Sequence, residues 1–296
     1  MWQPEPGWVE VSGGHGPTTA GVWRVDKSWI VKRISAPGVD DPPTLLRAES
    51  PRFWRREAEF ALAGTPLRGV SAPDVHRLDE DDEGYTLWSS AHDRTLVEPT
   101  RVAQAFAELA MTEAEPAAWH AVDHLREKVA QAETHDGWPT LARTTIADLA
   151  DALWSRRRSV LDRLEAMPRV LSHGDAVQAN VLCVHGGHAI MIDWGSFGWS
   201  APGEDLGLYA LSAGCDLDRM VWHYTETGSD LASYEDVLWA AQVVIAFTVV
   251  GRAEWVLARV APGEGALANK YRHPAVAPYL RALQNQIPTI EAVLQT

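Results

Sequence analysis

The apolar and polar positions of this chain change texture near residue 90. Before it the pattern is β-rich. "VWRVD" (Val22 to Asp26) and "SWIVKRIS" (Ser28 to Ser35) have strand character and meet at Asp26-Lys27, which predicts a hairpin. "SGGHGPTT", from Ser12 to Thr19, is a glycine-rich loop between two strand candidates. "PRFWRREAEFALAG" predicts a helix over Pro51 to Gly64, with proline near its start and glycine past its end. "SAPDVHRL" and "GYTLWSS" predict two further strands. From about Pro99 apolar residues recur at helical spacing, over Arg101–Met111, Ala117–Glu133 and Leu141–Met167, and the tail from Leu217 is again mostly helical. The longest apolar stretch, Val237 to Val250, is broken by Gln242 and Thr248 and is too short to span a bilayer, so it reads as a buried helix.

One short segment departs from both textures. In "VLSHGDAVQANVLCVHGGHAIMIDWGSFG", Val170 to Gly198, two five-residue arms flank Gly186-Gly187, and a Gly-Gly pair supplies the positive φ angles of a tight turn. With the arms Val181–His185 and His188–Ile192 in simple register, Asn180 and Asp193 stand side by side at about 5 Å. An amide oxygen and a carboxylate so placed can share a hard, oxygen-seeking cation such as Mg²⁺. Asp175, five residues before Asn180, faces the same spot as a carboxylate for proton handling. A metal that neutralises phosphate oxygens beside a carboxylate that orients a hydroxyl is what phosphoryl transfer requires.

Composition narrows the partners. The chain has 296 residues, 46% of them hydrophobic, enough for one large bilobed domain or two modest ones. A formal net charge of -14 argues against nucleic acid and anionic membrane as partners and mildly favours a cationic small molecule. Two cysteines, Cys183 and Cys215, and a start without a basic and then apolar region fit a reducing cytoplasm. His120 and His124 have a four-residue spacing that can bind zinc on a helix, but no third ligand accompanies them.

"HGDAVQAN" followed by "MIDWG" resembles the catalytic loop and metal-binding motif of the aminoglycoside phosphotransferase and choline kinase family, whose members share the bilobed fold of protein kinases. The resemblance runs from Ser12 to about Leu211. It implies an α+β protein with a small β-rich lobe over residues 1–90 and a larger helical lobe over 91–296. It implies ATP or GTP with Mg²⁺, and a small-molecule acceptor. Asp175 would be the catalytic aspartate, Asn180 and Asp193 the metal ligands, Lys32 of "IVKRI" the phosphate-binding lysine and Glu57 its ion-pair partner, with Glu59 as second choice. Ser12, Gly13, Gly14 and Gly16 would cover the phosphates, and the Trp88 to Ala91 segment, with Ser89 and Ala91, would read the base through its backbone. His173 would be structural, and Asp205 of "GEDLGLY" would brace the catalytic loop. Val177 and Gln178 depart from the His or Lys and the Pro that are usual there.

The acceptor is open at this level. The leading reading is a cationic molecule such as an aminoglycoside or related antibiotic, and the alternative is a metabolic alcohol such as choline, ethanolamine, homoserine or a sugar. Asp216, Asp218, Glu226, Asp230, Glu235 and Glu254, with Trp199, Trp222, Trp239 and Trp255, are candidates for binding a cation. Two other classes are a silent nucleotide-binding module and a non-haem Fe(II) oxygenase using His173, Asp175 and a distant histidine such as His223.

Overall fold

The structure is a computed structural model that describes residues 2–11, 18–141, 144–260 and 273–296. The β-rich part is an antiparallel five-stranded sheet in the order β1-β2-β3-β6-β5. Its strands are β1 (Val9–Glu10), β2 (Thr19–Val25), β3 (Trp29–Ser35), β5 (Val75–Asp81) and β6 (Gly84–Ser90). The predicted hairpin is β2–β3, in which Val22 pairs with Lys32 and Asp26 turns at φ 53°. Between β3 and β5 the chain forms α1 (Arg56–Ala63) and a short strand, β4 (Val70–Ser71). Helix α1 ends on Gly64 at φ 56°, as the glycine predicts. It begins five residues later than Pro51, because the chain from Pro51 to Arg55 makes tight turns before it.

Strand β4 leaves the five-stranded sheet and pairs parallel with β9 (His188–Met191), which is antiparallel to β8 (Val181–His185). The segment before residue 90 thus reaches into the helical part before returning to finish its own sheet at β6.

The helical part holds α2 (Pro99–Ala110), α3 (His124–Glu133), α4 (Ala147–Glu165), α5 (Glu204–Ala213), α6 (Leu217–Thr227) and α7 (Tyr234–Val260), followed by α8 (Ala277–Asn285) and α9 (Ile287–Gln295). Strands β7 (Val170–Ser172) and β10 (Gly198–Ser200) form a two-stranded ribbon beside them. Helix α7 contains the Val237–Val250 run and is buried along most of its length by α5, α6, α8 and α9. Among the described residues no helix is long and apolar enough to cross a membrane. Helix α3 starts later than the expected Ala117, since Ala121 exchanges backbone hydrogen bonds with Phe197 and Trp199 instead (3.0 and 2.8 Å). His120 therefore lies off the helix, where its Nδ1 accepts from the Trp199 indole, and the spacing with His124 is no helical pair. Both cysteines are free thiols.

Candidate active site

The segment from His173 to Asn180 hangs between β7 and β8 and is braced from two sides. The Asp205 carboxylate, at the start of α5, accepts the N–H groups of His173 (2.7 Å) and Gly174 (3.0 Å). His173 is fully buried at 0% exposure. Its Nε2 lies 2.9 Å from the carbonyl of Ile192, while Nδ1 accepts the Asp175 N–H at 3.3 Å. One ring thus ties the loop that carries Asp175 to the segment that carries Asp193. Asp205 itself is buried, and desolvation raises its pKa, opposed by the His173 and Gly174 groups around it.

The Asn180 amide nitrogen donates to both the backbone carbonyl (2.8 Å) and the carboxylate (3.2 Å) of Asp175. Its carbamoyl oxygen is the atom left for a cation. The simple register expected for the hairpin is not the one observed. Gly186 and Gly187 do turn at φ 58° and 86°, but a bulge at Leu182 makes Val181 face Met191, and the Asn180 carbonyl accepts the Ile192 N–H at 3.0 Å. Asn180 thus stands opposite Ile192, one residue short of Asp193. Asp193 then takes a left-handed conformation, φ 63° and ψ 54°. A non-glycine residue there costs about 1 kcal/mol or more and persists only where its surroundings fix it.

Lys32 on β3 reaches this turn. Its Nζ pairs with Glu57 of α1 at 2.7 Å and with the Asp193 carboxylate. Burial would lower the Lys32 pKa, but the two carboxylates outweigh it and hold the ammonium well above the ordinary lysine value. The second-choice residue, Glu59, pairs instead with Arg55 on the surface. Phe60 of α1 stacks on Trp194, with ring centroids 4.4 Å apart and planes 4° apart, and Trp194 in turn packs on His173 at 4.6 Å. Stacked pairs of this kind contribute about 0.5–1.5 kcal/mol beyond their buried area.

Asn180 and Asp193 each offer a hard oxygen donor of the kind that suits Mg²⁺. Ser12, Gly13, Gly14 and Gly16 lie outside the described residues. Ser89 sits inside the β3–β6–β5 ladder, and the Ala91 N–H donates to the Ser28 carbonyl at 2.8 Å. Several candidates for cation binding have structural partners. Glu254 is buried and accepts the Thr140 and Leu141 amides, Trp239 lies in the core, and the Trp199 indole donates to His120. Asp216 caps α6, and Asp218 accepts the Tyr234 hydroxyl. Trp222 and Trp255 are exposed. The oxygenase reading fails on His173, whose two ring nitrogens are already engaged.

Two residues that sequence reasoning passed over belong to the site. Arg94, just after β6, donates to the carbonyls of Gln178 and Val181 (3.1 Å each) and pins the turn between Asp175 and Asn180. Arg56 is buried beside Glu57. Its place four residues before Phe60, on the apolar face of α1, was the available signal.

The family model described as APH, phosphotransferase enzyme family, matches residues 7–237. No curated protein matches the chain. Among solved structures, a choline/ethanolamine kinase family protein from Mesorhizobium loti is 17% identical, with 95% of this chain and 87% of that one covered and a TM-score of 0.57. APH(2")-IIia, solved with GDP and kanamycin, is 14% identical over 94% of this chain and 92% of its own, at a TM-score of 0.63. APH(3'')-Id from Streptomyces rimosus, solved with ADP and streptomycin, is 18% identical over 79% and 90%, at 0.54. At these identities the likeness is one of fold, and it is the bilobed, protein-kinase-like α+β fold. The family match and the fold agree, and the chain belongs to the APH phosphotransferase enzyme family, as a phosphotransferase with an alcohol group as acceptor.

Proposed function

We propose that the chain transfers the γ-phosphate of ATP or GTP to a hydroxyl of a small cationic molecule such as an aminoglycoside or related antibiotic. The observation that carries this reading is one connected cluster. Lys32 pairs with both Glu57 and Asp193, and the His173 ring and the Ile192–Asn180 hydrogen bond join the Asp193 turn to the Asp175 loop. Asn180 and Asp193 would hold Mg²⁺, which when bound neutralises phosphate charge. Lys32 binds the α- and β-phosphates and Glu57 keeps its ammonium in place. Asp175 orients the acceptor hydroxyl and takes its proton. The acceptor oxygen then forms a bond to the γ-phosphorus as the bond to the β-bridging oxygen breaks, releasing a nucleoside diphosphate. The nucleotide would sit between the lobes on either side of residue 90, in the cytoplasm where it is supplied.

Acidity at -14 and the kanamycin and streptomycin bound to two of the similar structures favour a cationic acceptor. A metabolic alcohol is the second reading, favoured by the likeness to a choline/ethanolamine kinase family protein. The deciding experiment measures nucleoside diphosphate release from ATP and from GTP, with and without Mg²⁺, across aminoglycosides, choline-type amines, homoserine and sugars. Mg²⁺-dependent transfer to a cationic antibiotic is the expected result. Transfer to a neutral alcohol alone overturns the cationic acceptor, and tight nucleotide binding with no transfer to any of them makes the chain a silent nucleotide-binding module.

A further inference from the structure

Arg56 differs from its neighbour in the chain. Its neighbour Arg55 makes ordinary surface pairs with Glu59 and Glu80. Arg56 is fully buried and gives its hydrogen bonds to backbone carbonyls. Nε donates to Trp119 (2.7 Å), Nη1 to Gly195 (3.1 Å), and Nη2 to Ala48 and Ser50 (2.6 Å each). Desolvation lowers its pKa to about 10, which leaves the guanidinium charged at neutral pH. A buried charge whose hydrogen bonds go to neutral carbonyls, with Glu49 offsetting part of the desolvation, is a costly way to fill space, since an apolar side chain of similar volume avoids it. What the planar fork supplies is direction, fixing several segments at once.

Those segments converge on the site. The Ala48–Ser50 loop leads into α1, Trp119 leads into α3, and Gly195 closes the turn that holds Asp193 in its left-handed conformation. The Trp194 indole donates to the Met191 carbonyl at 2.8 Å and fixes the other side of the same turn. Glu57 is the residue after Arg56 on one rigid helix, so whatever holds Arg56 sets the reach of Glu57 to Lys32.

We infer that Arg56 is a positioning residue for the phosphoryl transfer proposed above, on which the inference rests: its guanidinium clamps α1 to the Asp193-Trp194-Gly195 turn, so that Glu57 and Asp193 hold Lys32 in place without a partner protein or a modification.

The test compares Arg56→Met, Arg56→Lys and a distant core variant, Leu257→Ala, with the unaltered protein. Leu257 is buried far along α7, in a different apolar cluster from Phe60 and Trp194. One readout is acetic anhydride labelling of Lys32 without nucleotide, measured by peptide mass spectrometry. The other is kcat and KM for the best acceptor. Arg56→Met is expected to expose Lys32 to labelling and to lower kcat about a hundredfold, the penalty of a misplacement on the order of 1 Å. Arg56→Lys is expected to lie between it and the unaltered protein. Leu257→Ala keeps Lys32 protected and kcat within about threefold, although its thermal stability falls. A folded Arg56→Met with Lys32 still protected and kcat within about threefold overturns the inference. If Arg56→Met does not fold, Arg56→Lys decides by the same two readouts. Labelling that follows Arg56 in a protein that phosphorylates no acceptor upholds the clamp and counts against the proposed function.

Discussion

Gly174 shows how tightly single residues are specified at this site. It has φ 78°, a conformation that other residues rarely adopt, and a Cβ there would run into the Ser196 carbonyl and the His124 ring. Gly174→Ala is therefore expected to cost about 1–3 kcal/mol in a denaturant titration and to lower turnover by displacing Asp175. Unchanged stability would show that the loop has room that the packing denies it. His124 is part of the same constraint. Burial lowers its pKa to about 4, and its Nε2 lies 2.6 Å from the Ser196 carbonyl. At this scale the motif residues were legible, because His173, Asp175, Asn180 and Asp193 occur at a spacing with few other uses. Arg56 and Arg94 were not. In sequence Arg56 is one of an identical pair, and the carbonyls that hold Arg94 belong to residues some 85 positions away. Backbone acceptors leave no trace in side-chain identity.

Elements were legible in kind and less so at their edges. The β2–β3 hairpin, the Gly64 end of α1, the Gly-Gly turn and the buried α7 follow from turn chemistry and period. The starts of α1 and α3 do not, since local turns over Pro51–Arg55 and long-range hydrogen bonds at Ala121 replace the helical ones. The bulge at Leu182 was also invisible. Its cause lies outside the hairpin, where the Leu182 carbonyl accepts the Thr95 N–H at 2.8 Å from the link between the lobes. Helix α5 carries its own testable feature. Glu204, at its first turn, is buried, and desolvation raises its pKa to about 7, with Asp205 adding to the effect and the Ala201 N–H, Arg169 and Lys128 opposing it. The native state then keeps a proton that the unfolded chain releases above its ordinary carboxyl value. Glu204 thus stabilises most at low pH, and that contribution is lost as pH rises through about 7. Urea titrations of Glu204→Gln should show a smaller loss of stability between about pH 5 and about pH 8 than the unaltered protein. An equal loss in both would assign the slope to other groups, Asp205 first.

The whole molecule is a β sheet and a helical body whose cores meet through α1 and β4. Phe60 and Val70, both before residue 90, pack in the same apolar cluster as Phe106, Leu171 and Trp194. A formal charge of -14 spread over this body should draw cationic acceptors toward it, so kcat/KM for them should fall as ionic strength rises toward about 0.15 M, while a neutral acceptor stays level. Level behaviour for both would confine recognition to short-range contacts. The central claim is that Asp175 serves the transfer while Lys32, Asn180 and Asp193 serve the nucleotide. The most direct test is Asp175→Asn, with nucleotide affinity measured by calorimetry beside turnover on the accepted substrate. The account predicts affinity within about threefold of the unaltered protein and turnover lower by about a hundredfold or more. Turnover close to that of the unaltered protein would contradict it and remove Asp175 from the chemistry.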